Sequence, residues 1–143
     1  MQYDNKVSLV LDANSKNEAF ARVSIAAFAT QLDPTLEQLD DIKMAVSEAV
    51  TNAIIHGYEG IDNGQIYIQC KIYKETLYIQ IEDKGKGIEN IEKAMEPLYT
   101  SKPDMERSGM GFTVMEAFMD NMEVISEVGK GTKICLEKKI TKN

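Results

Sequence analysis

Alternation of apolar and polar residues marks extended chain, and recurrence every three to four residues marks helix. Residues 6–12, KVSLVLD, alternate and predict a strand. Ala19, Phe20, Val23, Ala26, Ala27 and Phe28 then recur at helical spacing, with Ser15 or Asn17 as the expected N-cap. Asp33-Pro34 stops that helix and Thr35 opens a second. There Leu36, Leu39, Ile42, Val46, Ala49, Val50 and Ala53 share one side, up to an end at Gly57. Two strands, 65–73 and 76–82, are predicted to form a hairpin around Lys74-Glu75. A polar stretch with Gly and Pro runs from Asp83 to about Ser108, with a short helical piece at 88–95. A third helix follows over 111–120, and 122–128 and 132–138 close the chain as a hairpin over Gly129-Lys130-Gly131.

Runs of strands separated by runs of helices predict an α+β fold. The expected form is a two-layer α/β sandwich, its sheet mixed but mostly antiparallel, with the helices on one face. The 143 residues suit one domain, 1–143. A hydrophobic content of 43% is too high for a disordered chain. Sixteen basic against 23 acidic residues leave a net charge of −7. That balance argues against non-specific nucleic-acid binding and against docking on an anionic membrane. No apolar run approaches the roughly 20 residues of a membrane span, and MQYDNKVSLVLD does not read as a signal peptide. Cys70 and Cys135 lie far apart in strand-like runs and are expected to be reduced core thiols, as in a cytoplasmic protein. With a single histidine, they argue against a structural zinc site.

Three constellations carry candidate chemistry. On the second helix, Glu48, Asn52 and His56 recur every fourth residue and line one stripe. Asn52 lies in an otherwise apolar run, AVTNAII, and a buried amide must find partners. A carboxylate and an amide oxygen facing one cavity suit Mg²⁺, which leans on waters and substrate phosphates. The plainer alternative is a solvated Glu48 and an Asn52 bonded across the core. The second constellation is Asp83-Lys-Gly85-Lys-Gly87, after TLYIQIE. Period two puts Asp83 on the apolar face, where a carboxylate is costly unless something donates to it. The amino group of adenine is one candidate, and Gly85 and Gly87 would let backbone approach a flat ring. An Asp-capped turn is the alternative. Third, Arg107-Ser108-Gly109-Met110-Gly111-Phe112 opens a helix, where free N–H groups and the dipole suit phosphate. Lys102 and Arg107 lie upstream and could close over the charge. The alternative is Ser108 as an ordinary N-cap. Neither a Walker A loop nor a Rossmann fingerprint is present.

Taken in order, Glu-x-x-x-Asn, Asp-x-Gly-x-Gly, Gly-x-Gly and Gly131-Thr132 resemble the N, G1, G2 and G3 boxes of the Bergerat-type ATP-binding fold. DNA gyrase, histidine kinases, a heat-shock chaperone family and mismatch-repair proteins share it. The segments FARVSIAAFATQLDPT, VSEAVTNAIIHGYE and SKPDMERSGMGFTVMEAFMD further resemble the anti-sigma F factors of spore-forming Bacillus and Clostridium relatives. That resemblance runs from about 9 to 136; the stress-response anti-sigma B kinases are a weaker match, especially between 97 and 111.

The resemblance implies a protein that binds and inhibits a sporulation sigma factor, sigma F. It implies also a serine kinase that uses Mg-ATP to phosphorylate an anti-anti-sigma factor, and a homodimer. ATP or ADP and Mg²⁺ are the implied cofactors. Asn52 would hold Mg²⁺, Glu48 would be the general base, and Asp83 would bind the adenine amino group. Gly87 would lie beside the ring, with Thr132 supporting the pocket. Gly109, Met110, Gly111 and Phe112 would offer backbone donors to phosphate. A lid is implied at about 97–110, centred on 99–108 and carrying Lys102 and Arg107. Arg22 matches a residue that contacts both protein partners; by itself it reads as a solvated helix arginine. A nucleotide-dependent binding module with little kinase activity is the alternative function.

Overall fold

The computed structural model describes residues 2–95 and 111–140. Its strands are β1 (Asn5–Asp12), β2 (Gln65–Tyr73), β3 (Thr76–Asp83), β4 (Asn121–Glu127) and β5 (Gly131–Lys139). Its α-helices are α1 (Glu18–Ala29), α2 (Leu36–Asn52), α3 (Ile91–Ala94) and α4 (Gly111–Phe118). The five strands form one sheet in the order β1-β2-β3-β5-β4. Every neighbouring pair is antiparallel, where a mixed but mostly antiparallel sheet was expected. Two hairpins supply the β2–β3 and β4–β5 pairings. The α1–α2 pair returns the chain to the end of β1, so Gln65 of β2 starts opposite Asp12.

Local chemistry explains the element boundaries. Thr35 and Gln38 form a reciprocal capping box at the start of α2, with bonds of 2.8 and 3.1 Å. Asp33 before it turns the chain with φ at 52°, in the left-handed region. The cap ahead of α1 differs from expectation. Asn14 caps the short 3-10 turn Ser15–Asn17, while the Asn17 side chain donates to the Asp12 carbonyl. The short helical piece is trimmed to Ile91–Ala94, capped by Asn90. Helix α4 ends at Phe118, whose carbonyl accepts from Lys138 Nζ at 2.6 Å. The same ammonium reaches Asp41 at 3.1 Å, tying α4 and α2 to β5.

Helix α2 packs against both α1 and α4, making a helical layer over one face of the sheet. Ile66, Ile68, Cys70 and Ile72 of β2 face that layer, with Leu77, Ile79 and Ile81 of β3 and Ile134 and Leu136 of β5. They meet Ile25 of α1, Ile42, Val46 and Val50 of α2, and Met115 of α4 in one core. Each fully buried aliphatic side chain contributes roughly 1.5–3 kcal/mol. Cys70 belongs to this core, and burial pushes its thiol pKa up to about 12. Cys135 does not: it alternates with Ile134 and Leu136 and lies half-buried on the open face, beside Gln80 and Glu123. Both thiols are free. Among the described residues no helix is long and apolar enough to cross a membrane.

Candidate functional site

Strand β3 carries its alternation one residue past the expected end and delivers Asp83 to the buried face. Asp83 stands between Ile66 of β2 and Thr132 of β5 and is only 4% exposed. Among the described residues it is the only buried charged side chain. Burial pushes its pKa above the ordinary carboxylate range, and the charge of Glu82 adds to that. Backbone N–H groups of Gly85 and Thr132 pull the other way. Gly85 N–H donates to Oδ1 at 2.9 Å. A carboxylate kept in so apolar a setting has a strong demand for a further donor.

The surrounding backbone presses in closely. A Cβ on Gly57 would lie 2.7 Å from the Asp83 carboxyl carbon, and one on Gly85 would lie 1.8 Å from the Gly57 carbonyl oxygen. Lys86 N–H donates to that same carbonyl at 2.8 Å, and Lys86 Nζ pairs with Glu59. Gly87, at φ +78°, sits against the Glu127 carbonyl of the β4–β5 hairpin. Both glycines of the Asp-x-Gly-x-Gly run thus have reasons inside the fold. Thr132 is also buried, and its hydroxyl lies 2.9 Å from Ser126 Oγ. Ser126 accepts from Ile88 N–H and donates to the Gly131 carbonyl, so it joins β4, β5 and the loop after Gly87.

Helix α2 supplies the second part. Glu48 and Asn52 are half-buried, four residues apart, with Asn52 as its last α-helical residue. The regular helix expected up to Gly57 is replaced there by a π turn, Ala53–Gly57, closed by Tyr58 N–H on the Ala53 carbonyl. Such widened turns recur at functional sites. Here it brings Gly57 onto Asp83 and Tyr58 beneath Gly64. His56 is half-buried within it. The donor set fits Mg²⁺: the Asn52 amide oxygen is a hard ligand, and waters and nucleotide phosphates would complete the shell. Among the described residues no three His, Cys, Asp or Glu side chains gather into a metal site of their own.

Gly111 and Phe112 open α4 and are buried, which embeds the start of that helix beside α2. Lys102, Arg107, Gly109, Met110 and the lid at about 97–110 lie outside the described residues. Arg22 sits apart from these groups on α1, paired with Glu18 at 3.5 Å. Its neighbours Phe20 and Val23 are 55% and 59% exposed. Sequence reasoning missed Tyr58 and Ser126 and took Gly57 only for a helix end. Their contacts reach beyond their own elements, to Lys84 and to Ile88, and local periodicity carries no trace of these.

The model of the histidine kinase-like ATPase domain matches residues 11–138. An anti-sigma F factor from Clostridium acetobutylicum is 65% identical over 95% of this chain and 94% of its own length. The chain belongs to the anti-sigma F factor family of histidine kinase-like ATPase domains. Anti-sigma F factors from Clostridium beijerinckii and Clostridium perfringens are 61% and 62% identical, again over at least 95% of both chains. The fold recurs in a crystal structure of the RsbU and RsbW domains of a Mycobacterium tuberculosis protein. There the TM-score is 0.67 at 18% identity, covering 96% of this chain and 32% of that one. It recurs also in the catalytic domain of the histidine kinase ThkA, at a TM-score of 0.61 and 14% identity, over 96% and 97% of the two chains. The matched ATPase family implies nucleotide binding.

Proposed function

We propose that the chain is an anti-sigma factor and a protein serine kinase of the cytoplasm. It holds a sporulation sigma factor, sigma F, and uses Mg-ATP to phosphorylate a serine of a small anti-anti-sigma protein. The observation that carries the nucleotide part is Asp83, a buried carboxylate at the end of β3 whose apolar setting calls for a donor such as the adenine amino group. The family name carries the sigma-factor part.

In this reading each group has one task. Asp83 Oδ accepts from adenine, while Gly87 and Thr132 shape the base end. Asn52 would hold Mg²⁺ through its amide oxygen, and the ion would supply charge neutralisation at the phosphates. The start of α4, with Gly109 to Phe112, offers N–H groups to phosphate, and the lid with Lys102 and Arg107 closes over them. Glu48 takes the proton of the incoming serine hydroxyl. The serine oxygen bonds to the γ-phosphorus, the bond to the β–γ bridging oxygen breaks, and ADP leaves. Arg22, on the outer side of α1, contacts the protein partners, and the working unit is a homodimer. The whole chain is one such domain.

Mass spectrometry of the anti-anti-sigma protein after incubation with Mg-ATP tests the kinase reading. Phosphoserine is expected with the native chain, and Glu48→Ala should lower its rate by about 100-fold or more with ATP affinity within about twofold. Absence of phosphoserine with the native chain would leave a nucleotide-dependent binding module instead.

A further inference from the structure

The register that sets Ile66 opposite Asp83 puts Gln65 opposite Lys84, one step beyond the end of β3. A regular antiparallel ladder would join Lys84 N–H to the Gln65 carbonyl directly. The Tyr58 hydroxyl stands between them instead, accepting from Lys84 N–H at 2.7 Å and donating to the Gln65 carbonyl. Its ring is 7% exposed and packs under Gly64, where a Cβ would lie 2.6 Å from the ring. Tyr58 therefore opens the sheet by the width of one hydroxyl at the point where the chain leaves it for Gly85.

We propose that Tyr58 is a positioning residue that sets the exit angle of the Asp83–Lys84–Gly85 turn and so confers preference for adenine over guanine. It rests on the assignment of Asp83 to the adenine amino group. Lys84 is flanked by the carboxylate and by the N–H that binds it at 2.9 Å, so a clamp on Lys84 N–H fixes both. Lys86 N–H on the Gly57 carbonyl and Lys86 Nζ on Glu59 fasten the next residues to the same π-turn segment. The base end is thereby held from the end of α2, the helix that carries Glu48 and Asn52. Guanine presents a carbonyl where adenine presents its amino group, so a well-aimed carboxylate rejects it and a loosened one rejects it less.

The test is equilibrium binding of ATP and of GTP to the full chain, with Tyr58→Phe and Asp83→Asn measured beside the native protein. Phenylalanine keeps the packed ring and removes only the hydroxyl. Tyr58→Phe is expected to raise the Kd for ATP about fivefold and leave that for GTP within about twofold. The ATP-to-GTP preference would then fall about fivefold, a ratio that does not depend on the fraction of protein folded. Exchange of the Lys84 amide should quicken by about tenfold. An unchanged preference in Tyr58→Phe, or equal weakening of both nucleotides, while Asp83→Asn loses ATP affinity, overturns the role of Tyr58 alone. Undiminished ATP affinity in Asp83→Asn removes the adenine assignment and this inference with it.

Discussion

The surroundings of Asp83, the proposed base end of a nucleotide site, and the outer side of α1 are built in opposite ways. Around Asp83, Gly57, Gly85, Gly87 and Gly131 lie too close to their neighbours for any added Cβ, and the Tyr58 and Thr132 hydroxyls have partners within the fold. On α1, Phe20 and Val23 stand in solvent beside Arg22, which pairs with Glu18 one turn away. A small ligand is recognised by a pocket formed in advance, and ordering it there leaves its signature as burial and close contact. A protein partner brings its own order to the interface, so its docking surface need not carry strain within the free chain.

Substitutions can break this contrast. Gly85→Ala should have the largest effect. Its Cβ would meet the Gly57 carbonyl at 1.8 Å, backbone against backbone, with no flexible side chain to give way. Loss of measurable ATP binding and a destabilisation of at least about 3 kcal/mol are expected in denaturant melts. A variant that binds ATP normally would show that the turn is not held as described. On the other side, Arg22→Glu should weaken binding of the sigma factor and of the anti-anti-sigma protein about 30-fold or more. Its ATP affinity and melting temperature should stay unchanged within error. Equal weakening of nucleotide and protein binding would mean that the two regions are not separable.

The same contrast governs what could be read in the sequence. Strands β2, β3 and β5 and helix α2 were legible, because each has one face to bury and the burial pattern repeats the hydrophobic one. Helix α1 was legible as a helix but not in its face: Phe20 and Val23, which marked its apolar positions, stand exposed, and Ala21, Ile25, Ala26 and Ala29 are the buried ones. Asp83 was legible for the same reason: period two carried it onto the apolar face. The π turn was not, since Ala53, Ile54 and Ile55 suit a regular helix equally well, and the pull on this segment comes from Gln65 and Lys84. The face of Cys135 was legible but went unread: period two sets it with Lys133 and Glu137, opposite Ile134 and Leu136, and the register places it beside Gln80. Arg22 carries no local signal at all. An arginine on an amphipathic helix is ordinary, and only the family resemblance singles it out.

Asp83→Asn joins the two halves of this account in one sample. In the folded chain burial holds the pKa of Asp83 above its unfolded value. The resulting penalty is absent below the unfolded pKa, grows as pH rises towards the folded pKa, and is complete above it. Asparagine removes the buried charge and keeps an oxygen for Gly85 N–H, but presents an amide donor where adenine also donates. Calorimetric titration with ATP, paired with thermal melts at neutral pH and at a pH below the carboxylate range, reads both consequences. The account predicts at least a tenfold loss of ATP affinity together with a melting temperature raised by about 2–4 °C at neutral pH, a gain that vanishes in acid. Unchanged ATP affinity, or a variant that melts lower at neutral pH, would contradict it: the buried carboxylate would then be serving the fold and not the nucleotide.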